Sequence, residues 1–405
     1  MTIYYVTNNK DYGFGSLRYG IELTKFNNIT FCDDYQFDTI QLNSTIEIKK
    51  NIIITNNSEI NIKIKGNNDS IFTFKNKDLT FTINGNIGIS LVDTLTYKEG
   101  GAIKNIFSTN SIHLENVYIQ NCHATYGGAI FTLGQLKLSK CSFIANSAKY
   151  IGGAIFSCSS LNIDNCKIHK NIITSESEYI GGAGLFVYAN RNKDINNILF
   201  NISNTTISNN FIKFNPDKNS GISGAGIMIL IFNYTLYFNN CVIENNLSKN
   251  GSGIMVIHGN IDCTKCEIKN NMSTNYAECY EYQTNYGNLT GGGCGITSIN
   301  GNININKCTI TDNKSHGIYS SGITGLNGTI TCTDSNINNN INIGPGKAIT
   351  YLNRDITIND SYILENDIVN FLDMDNKENI KIIDSHINYF SDFVINIIEL
   401  IVKLA

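Results

Sequence analysis

Cys263 and Cys266 form a Cys-Thr-Lys-Cys motif, a spacing that is typical of zinc sites and redox centres. A structural zinc site needs two further ligands at a comparable spacing. No such second pair occurs in the sequence, and Cys332 stands three residues before a serine, Ser335. We therefore interpret both cysteines as small buried apolar residues, and we predict neither a metal site nor a cofactor.

Acidic residues, arginines and histidines are the other candidates for catalysis. A glycoside hydrolase needs two carboxylates at a defined separation, and a polysaccharide lyase needs a cation or an arginine beside the uronate. Asp33 and Asp34 are adjacent but lie on a polar turn, and arginine occurs singly, at positions 18, 191 and 354. The histidines, at positions 113, 123, 169, 258, 316 and 386, lack the spacing of metal ligands. We predict no catalytic residue.

A tyrosine-rich segment, residues 275–290, is the best candidate for a binding surface. Its candidate side chains are Tyr276, Glu278, Tyr280, Glu281, Tyr282 and Tyr286. Tyrosine offers flat amphipathic contact area and loses little entropy on binding, which suits a protein or a sugar partner. Packing of this loop against the body of the protein is the competing interpretation.

These residues belong to a chain that repeats a six-residue cassette, small-x-apolar-x-x-Asn. The cassettes start at Cys141, Cys166, Thr205, Cys241, Cys266, Cys308, Ser335 and Ser361, and end at Asn146, Asn171, Asn210, Asn246, Asn271, Asn313, Asn340 and Asn366. Two alternating apolar positions precede each cassette, which is the periodicity of a β-strand. Cys266 lies at a cassette start and Cys263 at a preceding apolar position, which supports their interpretation as buried residues.

The spacing of the cassettes predicts a parallel β-helix. Most successive cassettes start 24 to 27 residues apart, about one coil of three short strands, and three longer spacings carry insertions. We place the insertions near residues 172–180, 188–197, 211–220 and 272–290. Stacking of equal coils predicts internal apolar ladders, an internal asparagine ladder and close glycine-rich turns.

The two ends of the solenoid need covers, because an exposed end coil is a sheet edge. We predict an N-terminal cap over residues 1–28, in which Ser16 caps a short helix that places Leu17 and Ile21 on one face. The β-helix follows over residues 29–390. We predict that residues 391–405 form an amphipathic helix with a single polar stripe, which caps the other end or contacts a membrane surface or an oligomer partner.

Two motifs resemble the right-handed β-helix repeats of chlamydial polymorphic outer membrane proteins, which carry GGA[ILV] and FxxN. GGAI occurs at Gly100, Gly127 and Gly152, FxxN occurs from Phe143 to Asn146, and IxxN takes its place in other cassettes. The resemblance implies an all-β, single-stranded right-handed parallel β-helix and an adhesive or structural role. No signal peptide or C-terminal barrel accompanies the repeats, so that family's autotransporter route is not expected. The Asn and Ile bias suits a giant DNA virus or another AT-rich intracellular organism.

Composition narrows the function. A net charge of −4 and the absence of a Lys/Arg run argue against a nucleic-acid partner, and no apolar run reaches the roughly 18 residues of a membrane span. Stacked cysteines have poor disulfide geometry, so we predict mostly free thiols and folding in a reducing compartment. The leading hypothesis is a non-enzymatic structural or adhesion protein of a virion or cell surface that binds a protein or glycan partner. A polysaccharide-cleaving enzyme is the alternative function. The sequence does not fix the oligomeric state and is compatible with a homotrimer.

Overall fold

The alternating apolar residues of the repeat point into one continuous core, because the chain winds into a parallel β-solenoid whose coils stack in register. This confirms the predicted fold class. The computed structural model describes residues 2–175, 181–189, 199–213, 224–248, 251–274, 293–316, 321–342, 349–352, 355–364, 370–371, 380–383 and 385–387.

Three walls and a short fourth ladder surround the core. Wall 1 is a twelve-stranded sheet of Ile46–Ile48, Phe72–Phe74, Ile103–Asn105, Ile130–Thr132, Ile155–Ser157, Leu185–Ala189, Ile227–Ile231, Ile254–Ile257, Ile296–Ile299, Ile323–Leu326, Ile349–Leu352 and Asn370–Phe371. Wall 2 contains Ile3–Val6, Asn28–Phe31, Ile52–Asn56, the first parts of Thr80–Leu95 and Ser111–Tyr126, then Gln135–Ser139, Leu161–Asp164, Phe200–Ser203, Thr235–Asn239, Asn260–Thr264, Ile303–Asn306, Ile330–Thr333, Ile356–Asn359 and Ile380–Ile383.

Wall 3 and the fourth ladder follow wall 2 in each coil. Wall 3 contains Thr39–Gln41, Ile62–Lys65, the central parts of Thr80–Leu95 and Ser111–Tyr126, then Ser142–Ile144, Lys167–His169, Thr206–Ser208, Val242–Glu244, Glu267–Lys269, Thr309–Thr311, Asn336–Asn338, Tyr362–Leu364 and His386–Ile387. The fourth ladder contains the ends of Thr80–Leu95 and Ser111–Tyr126, then Ser147–Ile151, Ile172–Ile173, Phe211–Ile212, Leu247–Ser248, Met272–Ser273, Lys314–Ser315 and Ile341–Asn342.

Two left-handed corners explain why a coil has a fourth ladder where the sequence predicted three strands. The corner between walls 2 and 3 has positive φ at Asn116, Lys140, Asn165, Asn204, Asn240, Lys265, Lys307, Asp334 and Asp360. The corner between wall 3 and the fourth ladder has it at Asp93, Asn121, Ala145, Lys170, Asn209, Asn245, Asn270, Asp312 and Asn339. Asn and Asp tolerate this backbone conformation better than most residues. The second corner interrupts the cassette one residue before its asparagine and therefore divides one strand into two.

The cassette asparagines form the predicted internal ladder. Asn210 is fully buried, and its Nδ2 donates to Asn246 Oδ1 of the next coil at 3.0 Å and to the carbonyl oxygen of Ile168 at 3.0 Å. Its Oδ1 accepts from the backbone N–H and the Nδ2 of Asn171. The same pattern runs from Asn146 to Asn340. Each side chain therefore joins two coils and satisfies buried backbone groups at the corner.

The residues at the cassette starts stack on one another in successive coils and form a second internal column, which we call the file of cassette starts. The backbone N–H of Cys141 donates to Cys166 Sγ at 3.3 Å, and that of Ser335 donates to Ser361 Oγ at 3.1 Å. Cys263 and Cys266 are buried in this region, 0% and 1% exposed. Their prediction as small buried apolar residues is confirmed.

The glycine-rich turn before wall 1 brings neighbouring coils together. Gly127 and Gly152 have φ near +60°, and a Cβ on either would overlap the carbonyl oxygen three residues later. A Cβ on Gly128 would overlap the carbonyl oxygen of Gly153 in the next coil. Glycine is required here by backbone angle and by close approach of backbones, as the repeat predicted.

The N-terminal helix packs its predicted face against the core. Leu17 and Ile21 are buried, and Ser16 Oγ accepts the backbone N–H of Tyr19 at 3.2 Å, which confirms Ser16 as the capping residue. The helix continues as a π-helix over Tyr19–Leu23. Ile3–Val6 pairs in parallel with Asn28–Phe31, so a solenoid rung precedes this helix.

Several predicted features lie outside the described residues. They are the C-terminal helix over residues 391–405, Asn366, and most of the four insertions. In the part of the chain that the structure describes, no helix is long and apolar enough to cross a membrane.

The thiols are expected to resist modification in the folded protein. None of the eleven cysteines in the described ranges forms a disulfide; nine are buried, and burial raises the pKa of Cys122 and Cys332 to about 12. Because the fold shields all nine side chains from the reagent, iodoacetamide at pH 8 should leave them unlabelled in peptide mass spectra. The same treatment in guanidinium chloride is the control and should label them all. Rapid labelling of Cys263 or Cys266 in the folded protein would contradict the buried file.

Candidate functional site

A polar groove of about 690 Å³ lies between the N-terminal helix and the outer side of wall 1. We call it the polar groove. It is lined by Tyr12, Arg18, Glu22, Asn43, Ser44, Thr45, Glu47, Asn67, Asn68, Asp69, Thr73, Lys75, Lys98 and Lys104. Glu47 and Thr73 occupy paired positions on adjacent strands of wall 1, so rigid β-structure forms the floor. Its volume is in the range of small-ligand sites.

Arg18 fastens the N-terminal segment to the groove. Its Nε donates to Asp11 Oδ1 at 2.8 Å, and its Nη1 donates to the carbonyl oxygen of Thr45 at 2.8 Å. Asp11 Oδ2 accepts the backbone N–H of Asn43 at 2.8 Å. Arg18 is 4% exposed, so these charge-assisted hydrogen bonds are shielded from water. The guanidinium therefore holds the wall of the groove in place.

Three carboxylates line the polar groove, those of Glu22, Glu47 and Asp69, and each of them has donors within the protein. Glu22 Oε1 accepts the backbone N–H of Glu47 at 2.8 Å and also contacts Arg18. Hydrogen bonds from Lys49 and then Lys75 lower the pKa of Glu47 below its usual value.

Asp69, the third of these carboxylates, is held in the same way. Its Oδ1 accepts the backbone N–H of Ser70 at 2.9 Å, and its Oδ2 lies 3.8 Å from Lys98 Nζ. A general acid for glycoside hydrolysis needs a raised carboxyl pKa, which is the opposite of what Lys49 and Lys75 do to Glu47.

A smaller side pocket of about 440 Å³ adjoins the polar groove and shares Asn67 and Asn68 with it. Its other lining residues are Gln41, Lys65, Gly66, Asp93, Thr94, Leu95, Asn121 and His123. The two cavities therefore form one polar surface around the first coils.

Asp93 and His123 are the titratable pair of the side pocket. Burial raises the pKa of Asp93, but hydrogen bonds from Lys65 and Asn121 outweigh it and leave that pKa below its usual value. Burial lowers the pKa of His123, with partial opposition from the charge of Asp93. His123 Nδ1 lies 2.6 Å from Ser147 Oγ, but Ser147 is not a lining residue of the pocket. The hydrogen bond orients the imidazole.

Of the candidates considered in the sequence, Arg18 lines the polar groove and His123 lines the side pocket, whereas the predicted binding residues lie outside the described ranges. Tyr276, Glu278, Tyr280, Glu281, Tyr282 and Tyr286 all fall within the undescribed residues 275–292, so their role stays a prediction. Asp33 and Asp34 are exposed on a turn and do not line the polar groove. The described part of the chain contains no cluster of metal-ligating side chains.

Sequence reasoning missed the polar groove because its residues do not repeat. Glu22, Glu47 and Asp69 come from the helix, from wall 1 and from a turn, at unrelated positions in their coils. The one signal was Arg18 beside Glu22 in an i, i+4 pair.

No model of a known protein family matches the sequence, and no curated protein matches it either. The similarity to polymorphic outer membrane proteins therefore rests on the repeat motifs, and the viral source stays a prediction.

Three half-buried histidines predict a loss of stability in mild acid. Burial lowers the pKa of His113, His123 and His169 below the usual 6.5, so the unfolded chain binds protons more readily than the folded one. The free energy of unfolding should fall as the pH drops below about 6.5, until the folded-state pKa values are passed. Urea unfolding at pH 7.5, 6.0 and 5.0 measures it.

Replacement of all three histidines by glutamine should flatten this dependence. Carboxylates with lowered pKa, such as Glu47, act in a separate window below about pH 4.5. An unchanged slope between pH 7.5 and 5.0 in the triple variant would contradict the assignment to these histidines.

Proposed function

We propose that the protein is a non-enzymatic β-helix with a structural or adhesive role, displayed on a virion or cell surface, which binds a partner surface through the polar groove. The supporting observation is that the groove combines a fixed floor, exposed polar side chains and carboxylates already occupied by internal donors. Binding sites are most accurate on rigid elements of this kind.

The internal ladders support a scaffold role. The asparagine file and the file of cassette starts connect successive coils along most of the described solenoid. Folding in a reducing compartment suits the nine buried thiols.

A polysaccharide-cleaving enzyme is the second candidate, because three carboxylates line one groove. Retaining and inverting hydrolases require one carboxyl to donate a proton. Glu47 is stabilised in its ionised form by two lysines, which disfavours that role. The non-enzymatic proposal is therefore preferred.

The test compares binding with turnover. The purified protein is applied to an array of immobilised glycans and surface glycoproteins, and the same polysaccharides in solution are assayed for new reducing ends and for unsaturated uronates. We expect retention on the array and no product. Product formation that Glu47→Gln or Glu22→Gln abolishes would replace the proposal with the enzyme alternative, and absence of both retention and product would refute each.

A further inference from the structure

Tyr12 presents a fixed aromatic surface at one end of the polar groove. Its side chain is 56% exposed, although the Arg18 guanidinium lies 4.8 Å from the ring centroid. The Tyr12 hydroxyl and Ser44 Oγ are 3.0 Å apart, in hydrogen-bond contact. Arg18 is itself held by Asp11 at 2.8 Å. The ring is therefore oriented before any ligand arrives, which lowers the entropy cost of binding on it.

Exposed amides surround the groove on the side that it shares with the side pocket. Asn67 Nδ2 donates to the carbonyl oxygen of Asn43 at 2.9 Å. This bond orients the Asn67 side chain and does not use its Oδ1, which can accept a hydrogen bond from a ligand. Asn68 is exposed beside it. A carboxamide both donates and accepts, and so does a sugar hydroxyl, so the two groups match in either direction.

The charges in and around the groove balance, five cations against five carboxylates, because Arg18 faces both Asp11 and Glu22 while Glu47 faces two lysines. Arg18 lies 3.2 Å from Glu22, Lys75 lies 3.1 Å from Glu47, and Lys104 lies 2.7 Å from Glu99. Lys98 and Asp69 form a longer pair at 3.8 Å. A cation that already faces a carboxylate attracts a second anion weakly. The groove therefore has no strong preference for a uronate or a phosphate.

From these features we infer that the polar groove is a binding site for a neutral saccharide. One pyranose ring packs its C–H face on the face of Tyr12 that Arg18 does not cover, where the aromatic ring carries partial negative charge, and its hydroxyl groups bond to the amides of Asn67 and Asn68. The inference rests on the proposed binding function and gives it a ligand class.

The experiment measures affinity by titration calorimetry with four probes: cellohexaose, mannohexaose, N-acetylchitohexaose and hexagalacturonate. At least one neutral hexamer should bind, and about tenfold more tightly than hexagalacturonate. Tyr12→Ala should weaken that binding about tenfold, whereas Tyr12→Phe, which keeps the ring, should change it less than about threefold.

Two further variants make the result interpretable. Asn68→Ala should weaken binding of the same hexamer without altering the melting temperature, and it decides the matter if Tyr12→Ala fails to fold. Tyr237→Ala is the matched control, because Tyr237 is also an exposed tyrosine, 45% exposed, but lies on wall 2 away from the groove. It should bind as the unaltered protein does.

The inference is overturned if no neutral hexamer binds, if hexagalacturonate binds best, or if Tyr12→Ala and Asn68→Ala both bind normally. Retention of the Tyr12→Ala variant on the array of glycans and glycoproteins separates the two proposals. If that variant is retained while the saccharide titrations fail, the surface-binding function stands and the saccharide site does not.

Discussion

Replacement of Asn210 by alanine is expected to lower the free energy of unfolding by about 4 kcal/mol. The change removes the acceptor of the Asn171 backbone N–H and Nδ2, and the donor to the Ile168 carbonyl oxygen, all at a fully buried corner. Each buried group left without a partner costs roughly 1–3 kcal/mol. Urea unfolding gives the total, and hydrogen exchange at the Asn171 amide shows where the structure opens.

Two variants separate the amide chemistry from volume and from asparagine content. Asn210→Asp keeps the size but places an oxygen where Nδ2 donates to Asn246, so it should destabilise at least as much as alanine does. Asn201→Ala removes a half-buried amide of the same coil, bonded to Asn162 at 3.1 Å, and should cost less than about 1 kcal/mol. Equal losses of unfolding free energy on alanine substitution at positions 201 and 210 would show that a ladder asparagine contributes no more than a half-buried one does.

Replacement of Gly153 by alanine is expected to cost about 3 kcal/mol, because its Cβ would overlap the carbonyl oxygen of Ala183 in the next coil. Both groups belong to backbone that is paired on two sides, so neither can move without disturbing a ladder. The measurement is urea unfolding of the purified variant.

The sequences of neighbouring coils indicate a second substitution that should reduce the destabilisation caused by Gly153→Ala. Coils at residues 100–102, 127–129 and 152–154 read Gly-Gly-Ala, whereas those at 182–184 and 224–226 read Gly-Ala-Gly. In the second group the third glycine is the close one, since a Cβ on Gly184 would lie 2.5 Å from the carbonyl oxygen of Gly226. Each of these turns therefore has room for one Cβ, at either its second or its third position.

The double variant Gly153→Ala with Ala154→Gly converts one turn type into the other. Ala154→Gly alone should destabilise by about 1 kcal/mol, because it loses a buried methyl group and gains backbone entropy in the unfolded chain. The double variant should nevertheless be more stable than Gly153→Ala, with a coupling energy of about 1.5 kcal/mol or more. Strictly additive losses would disprove the exchange of positions.

The fold could be predicted from the sequence because residues at equivalent positions of the repeat stack on one another in successive coils, so the repeat defines the register. Asn146, Asn171 and Asn210 are equivalent in the sequence and stack in the structure, and the apolar positions before them enter the core. The fourth ladder was missed because the residue that creates it, such as Ala145 or Lys170, varies in type, while only its backbone angle is constant.

The polar groove could not be predicted in the same way. Its walls come from Arg18 and Glu22, which occur once, and from side chains such as Glu47 that point away from the repeated interior. A periodic pattern reports what faces the core, since stacking imposes equivalence only there. Residues on the outside are under no such constraint, and sites formed between a cap and a coil leave no periodic trace.

The hydrogen bonds of the asparagine ladder are independent of the number of residues between successive asparagines. Asn146 and Asn171 are 25 positions apart, Asn171 and Asn210 are 39 apart, and Asn271 and Asn313 are 42 apart, yet each pair makes the same bond of 3.0 to 3.1 Å. The packing of the interior at this corner is therefore unaffected by the length of an insertion elsewhere in the coil. Segments can be inserted, lost or exchanged between coils during evolution while the joint stays unchanged, so the surface of this protein is free to diversify around a constant axis.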